Sequence, residues 1–237
     1  MGKVVKVDDA TYQLLNHGEI VSCELTPAGS NYTFLAKLNL GDSSGLAIYK
    51  PKDGEIPLWD FPSGTLYKRE CAAYILSDIL EWDFIPYTII RDGPYGIGSV
   101  QQFIYHDTQK NYYTLDDSNA EELRTIACFD LVANNTDRKA GHMIVDHDGK
   151  VWGIDQGLTF HSDTKIRTVI WDFSDEPIPE HHLDKLETFR NNLSNPTGHI
   201  KDLLELLSDD EIIALNRRLD WVLAEKFYPG IPGRRRS

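Results

Sequence analysis

The run Asn134-Asn135-Thr136-Asp137-Arg138-Lys139-Ala140-Gly141-His142 decides how this chain is read, because it closes a helical pattern on one side and enters a strand hairpin on the other. Upstream, Leu123, Ile126, Ala127 and Leu131 recur at helical spacing as far as Ala133, and Ser118-Asn119-Ala120-Glu121 has the form of a capping box that opens the helix. Downstream, Met143-Ile144-Val145 and Val151-Trp152-Gly153-Ile154 are short apolar runs joined by the turn sequence Asp146-His147-Asp148-Gly149. A hairpin there brings Asp155, in Ile154-Asp155-Gln156-Gly157, back beside the loop that holds Asp137. Two carboxylates at the two ends of one short hairpin are placed to share a divalent ion and a phosphate chain. Aspartate is also favoured in turns and caps for its own hydrogen bonds, which accounts for either residue taken alone.

Working outward, the amino-terminal part reads as strands. A short helix at about 9–16, closed by Gly18, precedes alternating runs at Glu19 to Leu25 and Asn31 to Leu40 and a third strand at Gly45 to Lys50. Pro51, Pro57 and Pro62 make 51–63 irregular, since proline removes a ladder donor and biases its predecessor away from helix. A helix from Gly64 or Thr65 to about Trp82 follows, with Leu66, Ala73, Leu76 and Leu80 on one stripe. Ile85 to Arg91 and Ile97 to Tyr105 are two more strands around the turn Asp92-Gly93-Pro94-Tyr95-Gly96. Beyond the 134–157 region, Glu180 to Arg190, His199 to Leu207 and Asp209 to Phe227 are helical. The pattern predicts an α+β fold of two lobes, β-rich at 1–106 and α-rich at 107–237.

Composition narrows the partners. The 237 residues carry 24 Lys+Arg against 37 Asp+Glu, a net charge of −13, which disfavours nucleic acid and an anionic lipid surface. The one tight basic cluster, Arg234-Arg235-Arg236, reads as a solubilising tail. Cys23, Cys71 and Cys128 are dispersed in apolar segments with no C-x-x-C pair, which predicts free core thiols and a cytoplasmic setting. No apolar run approaches the roughly 18 residues needed to span a bilayer, so no stable membrane insertion is expected. Met1-Gly2-Lys3-Val4 leads into an acidic segment with Lys6 at position six, which supports neither a signal peptide nor myristoylation. The oligomeric state is not legible. His181-His182, without a cysteine or an H-E-x-x-H pattern, reads as a solvated helix start, and Trp59, Trp82, Trp152, Trp171 and Trp221 read as core. G-x-S-x-G, the Walker loop and G-x-G-x-x-G are all absent, which removes the hydrolase, P-loop and Rossmann readings.

Lys50 gives the two aspartates their context. It ends the strand Ala47-Ile48-Tyr49-Lys50, nearly the Val-Ala-Ile-Lys strand whose lysine grips the α- and β-phosphates in kinases. A lysine at a strand end is usually solvated, but Glu70 follows inside the first long helix, where a carboxylate can steady that lysine. A lysine on a strand, a glutamate on the next helix, an aspartate in a loop and an aspartate after a hairpin are the parts phosphoryl transfer needs, in that order.

In these motifs the sequence resembles the phosphoinositide-kinase-like branch of the atypical kinase superfamily, and type II phosphatidylinositol 4-kinases in particular. Asn135-Thr136-Asp137-Arg138, with Asp130 upstream, is similar to their catalytic-loop signature Asn-Thr-Asp-Arg, and Ile154-Asp155-Gln156-Gly157-Leu158-Thr159-Phe160 to their metal-binding segment Ile-Asp-Asn-Gly-Leu-Ala-Phe. Tyr49-Lys50-Pro51 and Gly64-Thr65-Leu66-Tyr67-Lys68-Arg69-Glu70 extend the likeness to a family of small bacterial phosphoinositide-kinase-like proteins. The resemblance implies ATP and Mg²⁺ as cofactors. It makes Asp137 the carboxylate that deprotonates an acceptor hydroxyl, Asp155 the principal metal ligand, Lys50 the phosphate holder and Glu70 its support. It also implies that the turn containing Gly29, Ser30 and Asn31 covers the nucleotide, and that Val100 to Ile104, with Gln102 and Phe103, forms the adenine hinge.

One position departs from that pattern. Five residues after Asp137 the related kinases carry an asparagine that binds a second metal ion, and this chain carries His142. Imidazole suits Mn²⁺ or Zn²⁺ better than Mg²⁺, so His142 is open as a metal ligand, a phosphate contact or a buried turn residue. The expected activity is transfer of the γ-phosphoryl group of ATP to a hydroxyl acceptor: a small polar alcohol, a lipid headgroup or a protein side chain. The alternatives are a nucleotide-binding pseudokinase, an AMP transferase on the same frame, and a scaffold without nucleotide.

Overall fold

Alternation between buried and exposed side chains builds the first sheet. The computed structural model describes residues 8–27 and 31–230. Gly29 and Ser30 of the expected nucleotide-covering turn lie outside the described residues, as do the segment 1–7 and the Arg234-Arg235-Arg236 run. Strands β1 (Glu19–Leu25), β2 (Phe34–Leu40), β3 (Ser43–Pro51), β4 (Thr88–Gly93) and β5 (Gly96–Gln102) form one antiparallel sheet in the order β1-β2-β3-β5-β4. Phe34, Ala36 and Leu38 of β2, Ala47 and Tyr49 of β3 and Val100 of β5 point to one face. There they bury against Leu14 and Leu15 of helix α1 (Asp9–His17). Period two then sends Ile48 and Lys50 to the other face, which lines a cleft.

Helix α2 (Leu66–Ile79) crosses behind that face, and its stripe of Leu66, Ala73 and Leu76, with Leu80 just beyond, is buried as expected. The expected extension to Trp82 does not form. Glu81 takes a left-handed backbone, φ 49°, and the Trp82 amide turns back to the Ser77 carbonyl at 2.9 Å. The following strand starts at Thr88, not Ile85, because Pro86 has no amide to give the ladder. β5 ends at Gln102, short of the expected Tyr105, where its ladder with β3 stops at Ala47 and β4 begins at Thr88.

Beyond β5 the longer elements are helices, apart from the hairpin β6 (Met143–Val145) and β7 (Val151–Gly153) and an irregular connection over 154–179. Helices α3 (Ala120–Ala133), α4 (Glu180–Asn192), α5 (His199–Glu205) and α6 (Asp209–Glu225) share one apolar core with the inner face of α2. The α+β class is therefore the observed one, a β-sheet lobe followed by a helical lobe. Among the described residues no helix is long and apolar enough to cross a membrane.

Three local expectations are corrected. The capping box at Ser118 is not formed: Asp116 takes both the Ser118 amide and hydroxyl, at 2.8 and 2.6 Å, and Asn119 begins α3 without a side-chain cap. Trp59 is 90% exposed, on the proline-interrupted segment, and Trp221 is 42% exposed, so neither belongs to the core. His182 is not solvated. It is 2% exposed, packed edge-on against Trp82, and burial, followed by the nearby His181 and Lys185 charges, pushes its pKa down to about 3. The three cysteines are free, with Cys71 and Cys128 buried and Cys23 half-buried.

A buried ion pair fastens α2 to the helical lobe. Arg69 is 2% exposed and pairs with Glu211 of α6, while its guanidinium lies 5.0 Å from the Phe61 ring centroid. The other Glu211 oxygen caps α6 by accepting the Ser208 amide at 2.8 Å. Removing one member of such a pair leaves an uncompensated buried charge. Glu211→Ala is expected to cost about 3–5 kcal/mol, read as a lower urea midpoint. Glu205→Ala, in the exposed pair with Lys201, should leave the midpoint where it is.

Candidate active site

Lys50 is the point where three elements meet. From the end of β3 its ammonium bonds the Glu70 carboxylate of α2 and, at 2.8 Å, Oδ1 of Asp155, two residues past β7. Glu70 is buried, and its second oxygen accepts the Gln156 amide at 2.9 Å, so one glutamate ties the strand lysine to the segment that follows the hairpin. Burial by itself lowers the Lys50 pKa, but the Asp155 and Glu70 carboxylates override it and the net shift is upward. Lys50, in turn, is the main influence holding Asp155 well below the usual carboxylate range, against its partial desolvation. Lys50 and Asp155 therefore stay ionised together across neutral pH.

Asp155 sits in a left-handed backbone, φ 59°, which aspartate tolerates better than most side chains. The hairpin fixes it there: the Ile154 amide donates to the His142 carbonyl at 2.9 Å and Gly153 to the Phe84 carbonyl at 2.8 Å. The second Asp155 oxygen lies 3.3 Å from His142 Nε2. Burial, first among opposing charge effects, lowers the His142 pKa, so its ring is neutral at physiological pH. An exposed carboxylate and a neutral imidazole side by side make an O,N donor pair that fits a divalent cation, and suits Mn²⁺ at least as well as Mg²⁺.

The loop carrying Asp137 rests on a buried polar network. Asn134 ends α3 in a left-handed conformation, and its amide group reaches the carbonyls of His161 and Asp163. Asp130, fully buried, accepts the Arg138 guanidinium at 2.8–3.2 Å, Asn135 Nδ2 at 3.0 Å and the Thr168 hydroxyl at 3.1 Å. Gln156 Oε1 accepts a second bond from Arg138 Nη2, the nitrogen that also donates to Asp130 Oδ1, at 3.1 Å. The Asp137 amide bonds Asn135 Oδ1 at 2.9 Å, which aims its carboxylate outward, where it accepts Lys139 Nζ at 2.7 Å.

These groups open onto a cleft of about 500 Å³ between the sheet and the helical lobe, within the range that holds a nucleotide-sized ligand. Lys50, Glu70, Asp155 and His142 are joined by direct contacts, and Asp137, Asn31, Gln102 and Phe103 line the same cleft. Asn31 has a positioning bond: its Oδ1 accepts the Ile56 amide at 2.7 Å, tying the β1–β2 connection to the proline-interrupted segment. The Gln102 amide is already bonded to the Tyr87 carbonyl at 2.8 Å, so its contribution to the cleft wall is not a free amide. Sequence reading gave no role to Arg138, Gln156, Thr168 or Lys139. The first two stand inside the quoted motifs, but only the folded chain reveals that Arg138 meets both Asp130 and Gln156. Thr168 carries no local signal.

Protein Rv2133c of Mycobacterium tuberculosis (strain ATCC 25618 / H37Rv) is 35% identical to this chain over 269 residues, covering 99% of this chain and 96% of that protein. The chain belongs to the Rv2133c family. No family model matches it, so its kinship with phosphoinositide-kinase-like proteins is a likeness of motifs. Among solved structures, the Helicobacter pylori proinflammatory kinase CtkA is similar over 90% of this chain and 94% of that one, with a TM-score of 0.46 and 13% identity.

The two kinds of aspartate should separate by stability in this member of the Rv2133c family. Asp130→Ala leaves Arg138 buried without its counter-charge and is expected to cost about 3–5 kcal/mol in urea unfolding. Asp155→Ala, whose side chain is half exposed and whose loss leaves Lys50 paired with Glu70, should move the midpoint little.

Proposed function

We propose that the chain is an ATP-dependent phosphotransferase of the atypical-kinase type, moving the γ-phosphoryl group to a hydroxyl acceptor. The observation that carries this reading is the Lys50 ammonium held between Glu70 and Asp155 at the mouth of a nucleotide-sized cleft. A lysine kept charged and fixed by two carboxylates is prepared for phosphate oxygens, and phosphoryl transfer is catalysed mainly by positioning and charge neutralisation.

In this reading Lys50 binds the α- and β-phosphates and Glu70 sets its direction. Asp155 and His142 would hold the divalent cation, which supplies neutralisation of phosphate charge. Asp137 accepts the proton of the acceptor hydroxyl as its oxygen attacks the γ-phosphorus, and ADP leaves. Lys139 keeps the Asp137 carboxylate oriented and adds a cation beside the phosphoryl group in transit. The net charge of −13 favours a small polar alcohol or a protein side chain over a lipid headgroup as acceptor.

The test is labelled-ATP transfer into polyols and into a cell extract, with Mg²⁺ and with Mn²⁺. Wild type should label an acceptor that gains about 80 Da. Asp137→Ala should be slower by roughly 10²–10⁴-fold, the usual contribution of a positioned base, and Asp155→Ala should also lose transfer. ATP binding without transfer under either metal would point to a pseudokinase, and a gain of about 329 Da to adenylyl transfer; either outcome ends the phosphotransferase reading.

A further inference from the structure

A second group of metal-ligating side chains lies outside the cleft, where the first turns of α3 and α4 meet. Glu121 of α3 directs Oε1 to 2.9 Å from His181 Nε2 and 3.7 Å from His182 Nε2, both on α4. All three candidate ligand atoms fall within 4.8 Å of one another. We propose that Glu121, His181 and His182 form a transition-metal site, best suited to zinc, that joins the beginnings of α3 and α4.

Tetrahedral zinc with bonds of about 2.0–2.1 Å to imidazole nitrogen and carboxylate oxygen sets its ligand atoms roughly 3.3–3.5 Å apart. The two measured separations bracket that span, so small side-chain rotations close the geometry. The groups that must rotate are free to do so, since the Glu121 and His181 side chains are 60% and 58% exposed. The third is held in place. His182 is buried with its ring against Trp82 at 5.3 Å and against His181 at 4.2 Å. The Thr125 hydroxyl, one helical turn after Glu121, sits 3.2 Å from His182 Nε2 and donates to the Glu121 carbonyl at 2.9 Å. The exposed side leaves a fourth position for water.

A surface ion pair between Glu121 and His181 would account for the 2.9 Å contact alone. His182 Nε2 faces the same carboxylate at 3.7 Å with the Thr125 hydroxyl nearer at 3.2 Å, and a metal would take that nitrogen's lone pair in place of the hydroxyl contact. Two imidazoles and one carboxylate suit Zn²⁺, and also Co²⁺, Ni²⁺ and Cu²⁺, better than Mg²⁺ or Ca²⁺. Bound there, the ion would fasten the far end of the 161–179 connection, which follows the Asp155 segment, to the helix that carries Asp130.

The experiment is calorimetric titration of untagged, chelator-stripped protein with Zn²⁺, repeated with Co²⁺ and read by the visible absorption of a tetrahedral cobalt site. Asp155→Ala is used as the background, so that the cleft contributes no cation site. One equivalent should bind in that background, with a rise in melting temperature at saturating Zn²⁺. Glu121→Gln and His181→Ala, both at exposed positions and checked for folding by circular dichroism, should weaken binding by at least about tenfold and abolish the thermal shift. Absence of binding in the background protein, or equal binding in both variants, would overturn the assignment.

Discussion

One ammonium group shared by two carboxylates organises the molecule. Lys50 stands on a sheet strand, Glu70 on a helix and Asp155 on the return of a hairpin, and no local interaction brings those three stretches together. Glu70 is buried while Asp155 stays half exposed, and burying a charge is unfavourable unless it finds partners in good geometry. Here Glu70 is bonded on both oxygens and Asp155 on one, with a neutral imidazole beside the other. The arrangement keeps a cation and an anion side by side at the edge of a cleft.

Two buried ionic contacts lie behind that triad and give it a rigid base. Arg138, Asp130, Asn135 and Gln156 lock the loop of Asp137 to the segment of Asp155 from beneath, while Arg69 and Glu211 pin α2 to α6 one residue from Glu70. Buried charge is costly to maintain and is not an efficient source of stability. Its value here is directional, because each guanidinium fork fixes the orientation of the backbone that presents a cleft residue. Helix α2 is held from both sides, by Lys50 on the sheet and by the apolar core it shares with α3, α5 and α6. The helix that carries Glu70 is thus part of the helical lobe's core as much as of the sheet's surroundings.

Much of this was legible along the chain. Alternation at 19–25 and 31–40 and the strand pattern at 45–50 specified strands because a one-residue slip would turn the apolar set of β2 and β3 out to solvent. The helical spacing at 66–76 and 123–131, and the turn between two short apolar runs at 143–153, were equally readable, and with them the order of Lys50, Glu70, Asp137 and Asp155. Boundaries were less so. Nothing in the composition of 80–88 marks the left-handed Glu81 that ends α2, and Ser118 looks like a cap until Asp116 claims its hydroxyl.

What the sequence by itself determined is the set of charged side chains and the elements that bear them, since side-chain periodicity is local and survives without knowledge of the rest of the chain. What only the tertiary structure decided is which of those charges meet. Glu70 accepting the Gln156 amide, Arg138 turning inward to Asp130, and His182 buried against Trp82 while Glu121 approaches from another helix all join elements that no local pattern pairs. Such contacts depend on how helices and sheet stack around a common core. No pattern confined to neighbouring residues encodes that stacking.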